Sequence, residues 1–295
     1  MTDADATSAG ILLTARDIRE LADAAGIRPS KQRGQNFVMD PNTVRTIVGR
    51  AGVEPGQAVL EVGPGLGSLT LGLLEAGADV VAVELDRGLA ELLPLTLRAR
   101  GVEEERFRLV HADALQVPEL PALPRAGEPT ALVANLPYNV ATPILLTMLE
   151  RFPSLRSALV MVQSEVVDRL TAGPGSRTYG GPSVKTAWYG TAVHAGRISR
   201  QIFWPVPNVD SALVELVRHE EPLGTDAERE TVFAVIDAAF AQRRKTLRAA
   251  LAGWAGSPPR SEQILRAAGI DPGARGETLG IEGFRAIARA EKGVD

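Results

Sequence analysis

The sequence predicts an α/β fold, in which a doubly wound parallel sheet is followed by a small all-helical domain at the C-terminus. Apolar, strand-like runs alternate with helical patterns from about residue 40 to about residue 165, which is typical of a parallel sheet with helices on both faces. A glycine-rich turn follows the first of these strands. From about residue 222 onward, the apolar residues keep only the helical spacing.

The first strand runs into the glycine-rich turn. Residues 58–70 read Ala-Val-Leu-Glu-Val-Gly-Pro-Gly-Leu-Gly-Ser-Leu-Thr. Gly63 and Gly65 have no Cβ, so the backbone there can turn tightly and lie against a ligand. The spacing differs from the dinucleotide pattern G-x-G-x-x-G because Ser68 holds its last position, and no Arg or Lys follows that would favour a pyrophosphate.

Acidic residues follow the next two predicted strands. The run 80–83 ends in Glu84, where a carboxylate can accept both ribose hydroxyls of a nucleoside cofactor. The run 107–110 is followed by Asp113, whose carboxylate can accept a hydrogen bond from an adenine amine. Each acid alone fits an ordinary strand end. Their succession after the glycine turn indicates a site for a nucleoside cofactor.

The fourth strand-like run, 131–134, leads into Asn135-Leu136-Pro137-Tyr138. The Asn135 side-chain oxygen and the Leu136 carbonyl can both accept hydrogen bonds from one exocyclic amine, since Pro137 has no N–H to continue a ladder. The Tyr138 ring can stack on a planar substrate. Two acceptors draw the amine nitrogen toward tetrahedral geometry and return its lone pair, so it becomes a nucleophile. The motif indicates methylation of an adenine or similar amine, against the alternative of a plain proline turn.

Composition favours an intracellular enzyme without a metal centre. The 295 residues are 45% hydrophobic, enough for one large core and a smaller one. The chain has no cysteine, and His111, His194 and His219 are dispersed, so a metal site is not expected. The first residues are acidic, and no apolar run reaches membrane-spanning length. We therefore expect a cytoplasmic protein with no membrane partner and no metal.

The charge pattern gives evidence both against and for binding to a nucleic acid. The net charge is -4, whereas an RNA-binding surface is expected to be basic. Basic residues are nevertheless concentrated in one N-terminal stretch and within about two turns of a predicted C-terminal helix. A solvated helix face is the alternative for the second cluster. The candidates for phosphate contacts are Lys31, Arg33, Arg243, Arg244, Lys245 and Arg248.

Seven blocks, in order, resemble the family of bacterial small-subunit (16S) ribosomal RNA adenine dimethyltransferases, from about residue 21 almost to the C-terminus. They are Gly-Gln-Asn-Phe at 34–37, the glycine turn at 61–70, Val-Glu-Leu-Asp at 83–86, Asp-Ala-Leu at 113–115, Asn-Leu-Pro-Tyr-Asn at 135–139, Phe-Trp-Pro-Val-Pro-Asn-Val-Asp-Ser at 203–211 and Phe-Ala-Gln-Arg-Arg-Lys-Thr-Leu-Arg at 240–248.

The resemblance implies a Rossmann-like class I methyltransferase domain that uses S-adenosylmethionine. The implied reaction methylates the exocyclic amines of two adjacent adenosines in the 3′-terminal hairpin of 16S rRNA and gives dimethyladenosines. The implied partner is 16S rRNA within an immature small ribosomal subunit, with a role in the biogenesis of that subunit. We expect the protein to be a monomer.

Roles for individual residues also follow from the resemblance. Phe203 is expected to stack on the face of the target base opposite Tyr138, a contact worth about 1–3 kcal/mol per base; an ordinary core aromatic is the alternative. The residues expected at the target base are Asn135, Leu136, Pro137, Tyr138 and Phe203. Those expected at the cofactor are Gln35, Asn36, Val38, Gly63, Gly65, Glu84, Asp113, Ala114 and Asn135.

Two alternatives stay open. Relatives that dimethylate a 23S rRNA adenosine and confer macrolide resistance share the catalytic blocks, but they more often have Ile in place of Leu136 and lack the Gln-Arg-Arg-Lys-Thr block. The second alternative is a mainly non-catalytic ribosome-assembly factor. The intact cofactor and amine motifs argue against a purely non-catalytic factor but not against a dual role.

The predicted domain boundary follows the last strand, at 212–217. A methyltransferase domain with an N-terminal helical extension is predicted at 1–221, and a helical RNA- or ribosome-binding domain at 222–295. Helices within the second domain are predicted at 228–251, 261–268 and 281–291. The basic cluster is expected on the first of these helices.

Overall fold

A computed structural model describes residues 11–29 and 35–294 and confirms the predicted α/β fold. The strands are β1 (Phe37–Val38), β2 (Ala58–Val62), β3 (Asp79–Glu84), β4 (Phe107–His111), β5 (Ala131–Asn135), β6 (Ser157–Gln163), β7 (Gly190–Ile198), β8 (Phe203–Trp204) and β9 (Ser211–Arg218). The helices are α1 (Ala15–Ala24), α2 (Pro41–Ala51), α3 (Ser68–Glu75), α4 (Arg87–Ala99), α5 (Ala141–Arg151), α6 (Ser164–Leu170), α7 (Gly181–Tyr189), α8 (Asp226–Ala241), α9 (Leu247–Ala250), α10 (Ala252–Ala255), α11 (Pro258–Ala267) and α12 (Ile281–Glu291).

The chain divides into two compact units. One contains the described residues up to Ser164 together with His194–Leu216, and the other contains Glu165–Val193 and the described residues from Val217 onward. Residues 165–193 thus group with the C-terminal helices, although the sequence suggests a single boundary after residue 221. The RNA-binding role of 222–295 stays a prediction.

The described residues form a seven-stranded sheet in the order β4-β3-β2-β5-β6-β9-β7. Strand β2 pairs in parallel with β3 on one side and with β5 on the other. From β2 the chain builds outward through β3 and β4, then returns to add β5 and β6 on the opposite side. The reversal leaves a crevice at the carboxyl ends of β2 and β5, the place where open α/β sheets bind ligands.

Burial explains the composition of the central strands. Every residue of β2 and β3 is buried, because helices cover both faces of a parallel sheet, and such strands consequently read as continuous apolar runs. Helix α3 follows β2 and packs on α2. At their contact, Gly72 lies against Val44 and Val48, so the absence of a side chain at Gly72 allows the two helices to approach closely.

The N-terminal helix is fixed to the first unit. Thr14 and Asp17 form a capping box at the start of α1, and Asp17 also pairs with Arg100 at 2.8 Å. Ile18 and Ala22 are fully buried. The chain then reaches β1, which pairs antiparallel with β8 so that Val38 lies opposite Phe203.

The prediction of one continuous helix over 228–251 is wrong. Helix α8 ends at Ala241, and the chain turns before it resumes as α9. The backbone N–H groups of Leu247 and Arg248 donate to the carbonyls of Ala274 and Pro272, so tertiary hydrogen bonds replace those of a continuous helix. The expected basic helix face is therefore absent from this segment: Arg243 to Lys245 lie in the turn, and Arg248 lies on α9.

The other two predicted C-terminal helices are confirmed: α11 begins three residues before and ends one residue before its predicted bounds, and α12 has the predicted bounds. Among the described residues, no helix is both long and apolar enough to cross a membrane.

Gly72→Ala should destabilise the protein by about 1–3 kcal/mol, because the added Cβ would overlap the stiff Val44 side chain. Gly49→Ala is the matched control: Gly49 lies on α2 with nothing within 4 Å of an added Cβ, and Ala is the better helix former by about 0.5–1 kcal/mol. Urea unfolding of both variants checks the pair. Equal stabilities for the two variants would contradict the packing described for α2 and α3.

Candidate functional site

A cavity of about 710 Å³ lies at the carboxyl ends of β2, β3 and β5, within the range usual for small-molecule sites. Its walls come from the segment before β1, the glycine turn, the turn that leads into α4, and the loop after β5. Of the predicted site residues, those that line it are Gln35, Asn36, Val38, Gly63, Gly65, Glu84, Asn135 and Pro137.

The glycine turn has the backbone that its sequence predicts. Gly63 and Gly65 have φ angles of 70° and 59°, in the left-handed region that favours glycine. A Cβ on Gly65 would also lie 3.0 Å from Cε1 of Phe37. The N–H of Gly63 donates to the carbonyl of Val83 at 2.9 Å, which holds the turn over the end of β3.

Glu84 is held by backbone donors at the cavity wall. Its Oε1 accepts from the N–H of Asp86 at 2.8 Å, and its Oε2 accepts from the N–H of Gly65 at 3.2 Å. Burial raises the pKa of Glu84, while these hydrogen bonds oppose that shift. A carboxylate oxygen has more than one acceptor position. The group can therefore bind a pair of hydroxyls without leaving its place.

Asn135 has a fixed orientation at the end of β5. Its Nδ2 donates to the carbonyl of Asn36 at 3.1 Å, so Oδ1 is the side-chain atom that remains to accept a hydrogen bond. The next residue continues the sheet, since the N–H of Leu136 donates to the carbonyl of Met161 at 3.1 Å. Pro137 follows and has no N–H, so the regular pairing ends there.

Tyr138 is half-buried, and its phenol oxygen lies 2.7 Å from Oγ of Ser211. Burial raises the pKa of Tyr138. The phenol therefore stays protonated near neutral pH and is not a base for the reaction. Tyr138 does not line the cavity, and its role in stacking on a base stays a prediction.

Asp113 and Ala114 follow β4 but do not line the cavity. The N–H of Ala112 donates to the carbonyl of Glu84 at 3.1 Å, so this segment begins beside the ribose-binding candidate. The Asp113 carboxylate accepts from the N–H of Leu115 at 2.9 Å, which shapes its turn. The role of Asp113 at an adenine amine stays a prediction.

Phe203 differs from the expected open stacking ring. It has no exposed surface and belongs to the hydrophobic core with Phe37 and Val38. The antiparallel pairing of β1 with β8 brings these residues together. In this conformation the alternative of an ordinary core aromatic describes Phe203, and a stacking role requires its ring to be uncovered.

Sequence reasoning missed Glu61, which lies on the cavity wall and is 1% exposed. Thr70 donates its hydroxyl to Glu61 Oε2 at 2.6 Å. Burial raises the pKa of Glu61 to about 8. The hydrogen bond from Thr70 lowers this pKa, and the charge of Glu84 raises it further. The available signal was a single acid inside an otherwise apolar strand.

The basic candidates fall into three groups. Lys31 and Arg33 lie outside the described residues. Arg243 pairs with Glu277 at 3.0 Å, and Arg248 pairs with Glu262 at 2.8 Å. Arg244 and Lys245 are exposed in the turn after α8 and make no ion pair within the described part of the chain.

No group of three or more His, Asp or Glu side chains that could hold a metal ion occurs within 11–29 and 35–294.

The fold and the cavity define a class of protein, the Rossmann-like methyltransferases. The chain is similar in structure to a dimethyladenosine transferase from Plasmodium falciparum, with a TM-score of 0.70, 20% identity and coverage of 85% of this chain and 95% of that one. It is also similar to the 23S rRNA methyltransferase ErmE, with a TM-score of 0.62, 28% identity and coverage of 87% and 100%.

The family described as ribosomal RNA adenine dimethylase matches residues 28–288. A ribosomal RNA small subunit methyltransferase A from Streptomyces griseus subsp. griseus is 64% identical over 283 residues, which cover 96% of each chain. The chain belongs to the ribosomal RNA adenine dimethylase family. The predicted resemblance, the enzyme class and the S-adenosylmethionine cofactor are thereby confirmed.

Glu61→Gln should remove a pH dependence of stability. The pKa of Glu61 is about 8 in the folded chain against 4.5 for the free side chain, so the folded state holds this proton where the unfolded state has lost it. Wild-type stability should therefore fall as the pH rises from about 5 to about 8, on the order of a few kcal/mol. The Gln variant keeps an acceptor for Thr70 but cannot titrate.

The measurement is urea unfolding of both proteins at several pH values. The difference in unfolding free energy, variant minus wild type, should rise with pH across this window. Parallel curves would contradict a protonated Glu61 in the folded protein.

Proposed function

We propose that this protein transfers methyl groups from S-adenosylmethionine to the exocyclic amines of two adjacent adenosines in the 3′-terminal hairpin of 16S rRNA, giving dimethyladenosines during biogenesis of the small subunit. The observation that carries the proposal is the Asn135-Leu136-Pro137-Tyr138 loop, which leaves β5 beside a nucleoside-sized cavity in a member of this family. The relative named as a small-subunit methyltransferase is 64% identical, against 28% for the 23S rRNA enzyme. The 23S alternative is therefore not favoured.

The cavity residues fit the cofactor. Glu84 would hold the ribose hydroxyls, and the backbone of Gly63 and Gly65 would lie along the methionine part. Leu85 also lines the cavity and is 66% exposed. Its side chain offers an apolar surface against which the purine ring of the cofactor would pack. When bound, S-adenosylmethionine would supply a methyl group on a sulfonium, whose sulfur keeps the electron pair of the S–C bond that breaks as the amine lone pair forms the new N–C bond.

The protein activates the target amine by accepting its hydrogen bonds. Oδ1 of Asn135 and the carbonyl of Leu136 bind the NH₂ group, which localises the lone pair on nitrogen, while the Tyr138 ring supports the base from one face. Holding the nitrogen in line with the methyl group is the main contribution to rate. The amine proton leaves after attack, when the nitrogen is a strong acid, so no protein base is required.

We further propose that the substrate is the RNA within an immature small subunit and that the protein acts as a monomer. Much of the recognition then comes from a folded particle rather than from charge, which fits a net charge of -4. In the turn after α8, the cations available for phosphates are Arg244 and Lys245.

The test is transfer of labelled methyl from S-adenosylmethionine to small subunits from a strain that lacks the modification, followed by nuclease digestion and nucleoside chromatography. Dimethyladenosine in 16S rRNA is the expected product. Label only in large subunits would support the resistance-enzyme alternative. No label, with binding to immature small subunits, would support the assembly-factor alternative.

Asn135→Ala should reduce turnover in the same assay by about a hundredfold or more, because it removes an acceptor that matters most as the amine becomes nucleophilic. Cofactor binding, measured by calorimetry, should remain detectable. Asn135→Asp keeps acceptor oxygens but loses the donor to Asn36, so it should retain more turnover than the Ala variant and bind cofactor less tightly. Full activity of the Ala variant would contradict this mechanism.

Arg244→Ala combined with Lys245→Ala should weaken binding to small subunits and lower the slope of log K against log salt by about 1 to 2, since each lost phosphate contact removes about one released counterion. The matched comparison is Arg243→Ala with Arg248→Ala, whose guanidinium groups already have carboxylate partners. Compared with the variant that lacks Arg244 and Lys245, the variant that lacks Arg243 and Arg248 should lower Tm more, because it breaks two ion pairs, and should change the salt slope less. Unchanged slopes in both pairs would place RNA binding elsewhere on the chain.

A further inference from the structure

We propose that Ser211 is a positioning residue for methyl transfer, because its buried hydroxyl holds the Tyr138 ring in the orientation in which the target base stacks. The inference rests on the proposed stacking role of Tyr138. Ser211 is separated from Tyr138 by 73 residues and makes no contact with the cavity.

The Tyr138 ring is held at both ends. At the main chain, the N–H of Leu136 donates to the carbonyl of Met161, and the N–H of Val140 donates to the carbonyl of Pro137 at 3.2 Å. At the far end, the phenol oxygen lies 2.7 Å from Oγ of Ser211. An aromatic side chain fixed only at its backbone can still change its χ angles. The hydroxyl pair removes that freedom.

Ser211 is itself immobilised at the start of β9. It has no exposed surface. The carbonyl of Asp210 accepts from both the N–H and the hydroxyl of Ser164 at 3.1 Å, and Asp210 Oδ1 accepts from the N–H of Arg200 at 3.1 Å. The start of β9 is therefore fixed to the end of β6.

Strand β6 pairs with β5 in a register that sets Asn135 opposite Met161. The amine-binding residue and the anchor of the ring are thus attached to the same rigid strand from two sides. This arrangement keeps the distance between the Asn135 acceptor and the Tyr138 ring constant, and that distance decides where the amine of a stacked base lies.

The anchor matters most for the second methyl group. An adenine amine has two N–H groups, which match the two acceptors at Asn135 and Leu136. After one methylation only one N–H remains, so the monomethylated base loses a hydrogen bond and depends more on stacking for its position. A loosened Tyr138 ring should therefore slow the second transfer more than the first.

The experiment measures both transfers under single-turnover conditions on small subunits that lack the modification, with wild type, Ser211→Ala, Tyr138→Phe and the double variant. Each single variant should slow the second transfer by about three- to tenfold, the worth of one hydrogen bond, and should accumulate monomethyladenosine. The double variant should be no slower than the slower single variant, since both remove the same bond. Cofactor affinity should not change.

Thr96→Ala is the matched control. It removes a buried hydroxyl that is bonded to the Leu92 carbonyl within α4 and that contacts neither Tyr138 nor the start of β9, so the ratio of monomethyl to dimethyl product should stay at the wild-type value. If that ratio rises equally in Thr96→Ala, or if the Ser211 and Tyr138 effects add in the double variant, the positioning role is overturned.

Tyr138→Ala separates this inference from the function on which it rests. If Tyr138→Ala loses activity while Ser211→Ala and Tyr138→Phe keep wild-type rates, the stacking role stands and the anchor is overturned. If Tyr138→Ala keeps full activity, the proposed stacking role fails, and the anchor fails with it.

Discussion

The parallel pairing of β2 with β3 and β5 is the constraint on which the site depends. It brings the carboxyl ends of three strands to one edge, so Gly63, Glu84 and Asn135 meet although they are widely spaced in the chain. The pairing is stable because these strands are buried on both faces. The hydrophobic core therefore positions Gly63, Glu84 and Asn135, because each of them lies at or directly after the end of a buried strand.

The cavity also places two carboxyl groups where water is scarce. Glu61 and Glu84 both lie on its wall, and burial raises the pKa of each. Burying a carboxylate without a cation is unfavourable. A sulfonium cofactor with an ammonium group would bring positive charge to this wall. A nearby positive charge lowers the pKa of a carboxyl group, so a bound cation would oppose the effect of burial on Glu61 and Glu84.

Of the candidate cations that the structure describes, two are paired with carboxylates and two are exposed. Arg243 and Arg248 serve the fold through ion pairs with Glu277 and Glu262, whereas Arg244 and Lys245 project from a turn. Non-specific affinity for RNA grows with the number of phosphates neutralised. The turn after α8 carries two unpaired cations among the described residues, so it can neutralise few phosphates. Selectivity for an RNA then depends more on shape and on base recognition.

The sequence by itself determined the strands near 58–62, 80–83, 107–110, 131–134 and 212–217, the glycine turn, and the positions of Glu84 and the Asn135-Leu136-Pro137-Tyr138 loop at strand ends. Burial on both faces, positive φ and the missing N–H of proline leave local signatures in the chain. Only the tertiary structure decided that Phe203 is buried, that the helix after α7 breaks at Ala241, and that Tyr138 is bound to Ser211. Each of these depends on a partner far along the chain: Val38 for Phe203, Pro272 and Ala274 for the break. Local periodicity carries no information on such partners, since the same residues form a helix or an open ring when no distant segment competes for their hydrogen bonds and surface.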